Sequence, residues 1–254
     1  MIPTRLLEDK VVVVTGSSSG IGAAVALACA QHGASAVILH HLDSTTEPAA
    51  RAVQSQVEAA GAATSLVSGD IADQSTASAL VAAGIAYGRI DVLVSNAGIC
   101  PFHAFLDLPA PLWARVQDVN LTGAFYAVQA VANVMANQVP RGGSIVAVSS
   151  ISALMGGGEQ CHYTPTKAGL RSLMESCAIA LGGLGIRWTI ETDLNREDLG
   201  VEGKRERMIA RVPLGRLGVP DDVAQPVVFF ASDMARYCTG ASLLVDGGVA
   251  ISLQ

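Results

Sequence analysis

Residues 10–15 (KVVVVT) run directly into Thr15-Gly16-Ser17-Ser18-Ser19-Gly20-Ile21-Gly22, and no Asp, Glu, Lys or Arg occurs between residues 11 and 42. A continuous β-branched run suits a strand covered on both faces, the setting of a central strand in a parallel sheet. Glycines at its exit let the backbone turn tightly, and the first N–H groups of a following helix then face an approaching anion. The uncharged stretch does not read as a membrane span, which needs about 20 consecutive apolar residues. Glycines and serines interrupt it at 16–20, and Gln31, His32 and Gly33 follow. A buried strand, a glycine turn and a helix remain.

The same alternation continues along the chain. Strand signals recur at residues 35–41, 65–69, 90–95, 144–149 and 242–246, separated by helix-period segments such as 21–32 and 167–184. In the latter, Leu170, Leu173, Met174, Cys177, Leu181 and Leu184 form an apolar stripe at i, i+3, i+4 spacing. The expected fold class is therefore α/β: a single-domain, Rossmann-type, doubly wound parallel sheet of about seven strands with helices on both faces. No Pro- or Ser-rich linker, repeat or low-complexity tract divides it. One domain over 1–254 is expected, with a cofactor half up to about residue 120 and a catalytic half beyond.

Composition excludes several function classes. Half of the chain is apolar and only 15% is charged, against about 25% charge in ordinary globular domains, which rules out intrinsic disorder. Sixteen basic against 22 acidic residues give a net charge of −6, the wrong sign for a nucleic-acid groove. The five cysteines are widely spaced, with no C-x-x-C pair. They read as reduced thiols of a cytoplasmic protein, not as a disulfide framework or zinc site. The opening MIPTRLLEDK lacks the apolar run of a signal peptide, so neither secretion nor a membrane partner is expected.

The glycine spacing is G-x-x-x-G-x-G, not the G-x-G-x-x-G of the general dinucleotide fingerprint; an ordinary glycine-rich βα turn is the alternative, and the place after a buried strand favours a dinucleotide site over it. An acid that would hold the ribose of NAD is expected about 20 residues on. Here the second strand ends in His40-His41, with Asp43 only afterwards, and no Lys or Arg lies between Lys10 and Arg51 to take the extra phosphate of NADP. Serine hydroxyls and His40 or His41 are the groups left for that phosphate, so NAD and NADP both stay open. His40 and His41, adjacent on a strand, point to opposite faces and cannot chelate one ion; no metal site is expected.

Tyr163 and Lys167 stand four residues apart and share one helical face, with Pro165 placing them in the first turn. An ammonium beside a phenol stabilises the phenolate and lowers a pKa that is ordinarily about 10, which makes Tyr163 a candidate general base. Ser150 precedes Tyr163 by 13 residues, just beyond a strand end. Asn96-Ala97-Gly98 follows another strand, and Asn120 lies in a polar break between helical stretches.

With the glycine turn, N-A-G, Asn120, Ser150 and Y-x-x-x-K in this order and spacing, the chain resembles the short-chain dehydrogenase/reductase family over nearly its whole length. That resemblance implies a catalytic set of Asn120, Ser150, Tyr163 and Lys167. Tyr163 would take the substrate's hydroxyl proton, Lys167 would lower the phenol's pKa and hold the nicotinamide ribose, Ser150 would bind the reacting oxygen, and Asn120 would anchor a proton-relaying water. It also implies an NAD or NADP site at Gly16, Ser18, Ser19, Gly20, Ile21, Gly22, His40, Asp70, Ile71, Asn96, Ala97 and Gly98, with Asp70 against the adenine, and a homotetramer with the Tyr/Lys helix at an interface. Residues 96–109, 149–182, 211–218 and 232–248 resemble the branch of the family that oxidises the C1 hydroxyl of aldoses to lactones. A small-molecule sugar is then the expected partner, met by Ser150, Ser152, Gln160 and Tyr163, with Glu159, His162 and His103 as further polar candidates at the mouth.

One stretch departs from the family pattern. Members run through a sixth strand ending in a Pro-Gly turn, whereas here no Pro or Gly occurs between Arg187 and Gly200. If Thr189-Ile190 follows the usual turn, Trp188 replaces a strand that needs 5–6 residues. The expectation is a shortened or displaced sixth strand, formed by 187–191 itself, with a damaged wall on the nicotinamide side; the alternative is a protein that binds nucleotide but is catalytically impaired.

Overall fold

In a computed structural model, residues 5–193 and 204–251 are described. Seven strands form one parallel sheet in the order β3-β2-β1-β4-β5-β6-β7. These are β1 (Val11–Val14), β2 (Ala36–His41), β3 (Ala63–Ser68), β4 (Val92–Ser95), β5 (Gly143–Ser150), β6 (Ile186–Asp193) and β7 (Ala241–Leu244). The helices between them are α1 (Gly20–Gln31), α2 (Glu47–Ala59), α3 (Gln74–Ile85), α4 (Ala110–Gln117), α5 (Gly123–Asn137), α6 (Thr164–Leu181), α7 (Lys204–Ala210) and α8 (Pro220–Ala231). The order reverses between β1 and β4, the switch point at which open α/β sheets bind ligands beyond their strands' carboxyl ends.

The period-2 alternation of the strands divides the core. Val12, Val14, Val37, Leu39, Val94 and Val148 pack with α1 and α8 on one face. Val11, Val13, Ile38, Leu93, Ile145 and Ala147 pack with α5 and α6 on the other. Every residue of β1 and β2 is buried, which explains why both read as continuous rather than alternating apolar runs.

The sixth strand corrects the sequence reading. β6 spans eight residues, each registered against β5 from Gly143↔Ile186 to Ser150↔Asp193, and Thr189–Thr192 also pairs with β7. It is neither shortened nor displaced. Ile186, Trp188 and Ile190 join the α5/α6 core, while Arg187 points to the opposite face. There its guanidinium donates to the carbonyls of Phe230, Ala231, Ser232 and Ala235 at the end of α8, where a cation complements the helix dipole. The residues that follow the missing Pro-Gly thus supply the strand themselves. Two buried polar atoms there, Trp188 Nε1 and Thr189 Oγ1, have no hydrogen-bond partner among the described residues. The expected damage beyond this strand concerns residues 194–203, which lie outside the described residues.

Candidate active site

The glycine turn is built around two close backbone approaches. Gly16 and Gly20 have φ of +63° and +57°, a left-handed conformation that glycine adopts without penalty. A Cβ on Gly16 would stand 2.8 Å from Ala97 Cα, and one on Gly22 would collide with Gly16 O and stand 2.6 Å from Asn96 Nδ2. Asn96 holds this arrangement, donating through Nδ2 to Thr15 O and Gly16 O, each at 3.0 Å. Thr15 Oγ1 in turn accepts from Asn96 N at 2.9 Å and Ala97 N at 3.0 Å. The N-A-G segment thereby buttresses the turn, and the amino end of α1 opens beside it with no acidic residue in its first turn.

A cleft of about 350 Å3 runs from this turn over the carboxyl ends of the strands. Gly16, Ser18, Ser19, Gly20 and Ile21 line one end, His40, Asp70 and Ile71 a second side, and Asn96, Ala97, Gly98, Tyr163 and Lys167 the other end. Gly22, Asn120 and Ser150 are not among its lining residues. On the His40 side of the cleft, Asp70 accepts from Ala72 N at 3.0 Å and pairs with Arg115 Nη1 at 2.6 Å. Burial pushes the Asp70 carboxyl up, but the Ala72 N–H and Arg115 outweigh it and hold the group below the ordinary carboxylate range. Asp43 is turned into its own loop, accepting from Thr45 and Thr46.

At the far end, Tyr163 caps α6 and Lys167 lies one turn along, with Pro165 in the first turn. Both side chains are buried, and Lys167 Nζ lies 5.6 Å from the Tyr163 ring centre. Nζ donates to Val148 O at 3.0 Å. Burial pushes the Lys167 ammonium down to about 8, opposed by a smaller effect of Cys100. Ser150 closes β5, its hydroxyl accepting from Ser152 N at 3.1 Å. Asn120 sits in a π-helical turn, Asp118–Thr122, a rare geometry that marks functional sites. Its carboxamide is fixed by Ile99 N and Ile99 O, both at 2.8 Å.

A second pocket of about 230 Å3 adjoins, lined by Ser152, Gln160, Met155, Met208 and Arg211 among others. Gln160 links the two: its Oε1 accepts from Ser152 Oγ at 3.4 Å, and its Nε2 donates to Cys100 Sγ at 3.3 Å. Glu159 and His103 line neither pocket. His162 is buried and donates through Nε2 to Pro101 O at 2.6 Å. Sequence reasoning missed Arg115, Cys100, Thr46 and Arg211, whose place at the site comes from packing between distant segments and leaves no local signal. It also missed Ser17, whose N–H donates to His40 O at 2.9 Å and whose Oγ accepts from His40 N at 2.8 Å.

A family model described as enoyl-(acyl carrier protein) reductase matches residues 16–250. A protein of Azotobacter vinelandii named L-rhamnose 1-dehydrogenase (NAD(P)(+)) is 57% identical over 98% of this chain and 100% of its own length. One of the same name from Sphingomonas sp. is 55% identical over 98% and 100%. The crystal structure of a short-chain type dehydrogenase/reductase from Mycobacterium marinum superposes with a TM-score of 0.87 at 29% identity, covering 97% of each chain. The chain belongs to the short-chain dehydrogenase/reductase family.

Proposed function

We propose that this protein is an NAD(P)-dependent L-rhamnose 1-dehydrogenase, oxidising the C1 hydroxyl of the sugar to the lactone. The observation that carries the chemistry is the buried Tyr163–Lys167 pair at one end of a cleft whose other end is the glycine turn. The names of the two relatives carry the substrate. The site fits a dinucleotide on its own terms. Cβ atoms would fill the cradle at Gly16 and Gly22, and the α1 amino end faces the cleft where a pyrophosphate is favoured. When bound, the nicotinamide supplies the hydride acceptor.

The protein's own residues do the rest. Tyr163 accepts the C1 hydroxyl proton as general base, and Lys167 stabilises the resulting phenolate through its charge. Ser150 orients the reacting oxygen, and Asn120, pinned to Ile99, fixes the backbone behind the cleft and anchors the relay water. Ser152 and Gln160 hold the sugar's other hydroxyls, because a polyol demands fixed hydrogen-bonding partners. Gly16, Ser18, Ser19, Gly20, Ile21, Gly22, Asn96, Ala97 and Gly98 hold the phosphates and ribose, and Asp70 and Ile71 the adenine. With Asp70 neutralised by Arg115 and Asp43 turned away, no free carboxylate repels a 2′-phosphate, which supports use of both NAD and NADP.

The whole chain acts as one dehydrogenase domain, with cofactor and catalytic halves meeting near residue 120. We place it in the cytoplasm, supported by Cys29, Cys161, Cys177 and Cys238, which stand as thiols outside any disulfide; among the described residues no helix is long and apolar enough to cross a membrane. A homotetramer is supported by apolar side chains left outside on the long helices, Ile179 of α6 at 87% exposure above all. A panel of L- and D-aldoses with each cofactor tests the substrate: reduction of either cofactor by L-rhamnose ahead of other aldoses is expected. Turnover of ketones or acyl thioesters with aldoses untouched would refute it.

A further inference from the structure

His40 ends β2 between two loops of the cofactor cleft, and its ring touches both. Gly16 N–H donates to Nδ1 at 2.9 Å, and Nε2 lies 2.9 Å from Gly69 O. The first contact requires a lone pair on Nδ1, so the single proton sits on Nε2 and is donated to the Gly69 carbonyl. Both nitrogens are therefore engaged, and the residue is only 3% exposed. Its backbone is stitched to the same turn through Ser17. The side chain spans from Gly16, which opens the glycine turn, to Gly69, which precedes Asp70.

We propose that His40 is a positioning residue: a neutral imidazole strut that holds the phosphate-side turn and the adenine-side loop at the separation a dinucleotide needs, and that gives way when protonated. The inference deepens the dinucleotide reading of this cleft and rests on it. It also removes His40 from the groups available to a 2′-phosphate, since neither ring nitrogen is spare.

Protonation would put an N–H on Nδ1 directly against the Gly16 N–H, two donors face to face, and the turn would have to move. The charged groups around the ring do not relieve this. His41, its neighbour on β2, disfavours a positive charge; Asp70, after β3, favours one but is paired with Arg115 of α4. Burial, the dominant influence, pushes the His40 pKa below its ordinary 6.5, against the Gly69 hydrogen bond. A cofactor that binds only the neutral strut then loses affinity as pH falls below the pKa of the free enzyme, by up to about tenfold per pH unit.

The test is the dissociation constant of NADH, read by nicotinamide fluorescence from pH 5 to 8; NADH avoids the titration of a 2′-phosphate near pH 6. For the wild type, affinity is expected to weaken with acid at up to about tenfold per unit. His40→Asn puts an oxygen where Nδ1 was and does not titrate. It gives up the Gly69 contact, so it is expected to weaken affinity at pH 7.5 by less than His40→Leu does and to flatten the acid limb, whereas His40→Leu, which makes neither contact, loses at least about tenfold. His41→Asn retains the acid limb, which assigns the titration to His40. In the steady state the His40→Leu loss falls on cofactor KM rather than on kcat at saturation. Affinity that rises on acidification, an acid limb unchanged in His40→Asn, or loss in His40→Asn equal to that in His40→Leu would overturn the proposal. Because the readout is binding, it stands or falls apart from the sugar assignment: failure to oxidise L-rhamnose leaves it intact, and failure of the wild type to bind NADH at any pH sinks both.

Discussion

Two ends of one sheet solve the same problem differently. At the β1/β4 switch point, Thr15, Ser17, His40 and Asn96 interlock across three segments, with side-chain donors and acceptors met by backbone groups of the neighbouring segment. At β6, eight residues fill the strand position, yet Trp188 Nε1 and Thr189 Oγ1 are buried without a partner among the described residues. The first region is polar because a ligand must meet backbone at defined points. The second is held by apolar packing of Ile186, Trp188 and Ile190 and by Arg187 closing the end of α8. A sheet position demands little beyond alternation and length, whereas a binding turn demands particular groups at particular places, and the two regions should respond to mutation accordingly.

The largest expected effect is Tyr163→Phe, which deletes only the proton acceptor. Turnover should fall about 10³-fold with cofactor affinity held within about threefold, measured by initial rates and fluorescence titration; a wild-type rate would remove Tyr163 as the base. Next comes Gly22→Ala, which forces a methyl onto Gly16 O and Asn96. Strain of about 1–3 kcal/mol should appear as roughly 10–100-fold weaker cofactor binding, and an unchanged affinity would show that the interlocked turn yields easily.

Lys167 gives a prediction of similar size in stability. Its pKa is ordinarily 10.5 and burial brings it to about 8. Between those values the unfolded chain holds a proton that the folded chain has released, so stability rises with pH across the window, by about 3 kcal/mol in all. Urea unfolding at pH 7.5 and 10.5 should show that rise in the wild type and lose it in Lys167→Met; parallel curves would mean that the ammonium is better solvated than its burial indicates. The smallest effect belongs to β6. Thr189→Val replaces an unpartnered buried hydroxyl by a methyl of the same shape and should stabilise by about 1 kcal/mol, read from denaturant midpoints. Destabilisation would show that the hydroxyl is satisfied after all.

Most of the fold was legible because its strands announce themselves: buried runs such as VVVV of β1, each followed by a helical period. The sixth strand was misread for an instructive reason. Ile186, Trp188 and Ile190 alternate with Arg187, Thr189 and Glu191, a plain period-2 strand signal rich in β-branched and aromatic residues. The expected Pro-Gly turn confines that signal to a short strand over 187–191, whereas β6 spans Ile186–Asp193. Within the site, residues that act through a local motif, such as Tyr163 with Lys167, could be read directly. Arg115 reaches Asp70 across 45 positions of sequence, and the His40 ring bridges Gly16 and Gly69. Such contacts depend on strand order and have no signature in local spacing.

Reduction of NAD or NADP by L-rhamnose, followed by nicotinamide absorbance in the wild type and in Tyr163→Phe side by side, goes to the heart of the account. It predicts steady turnover in the first protein and near silence in the second, with both still binding cofactor. A wild-type protein that binds the dinucleotide but transfers no hydride from any aldose would contradict it.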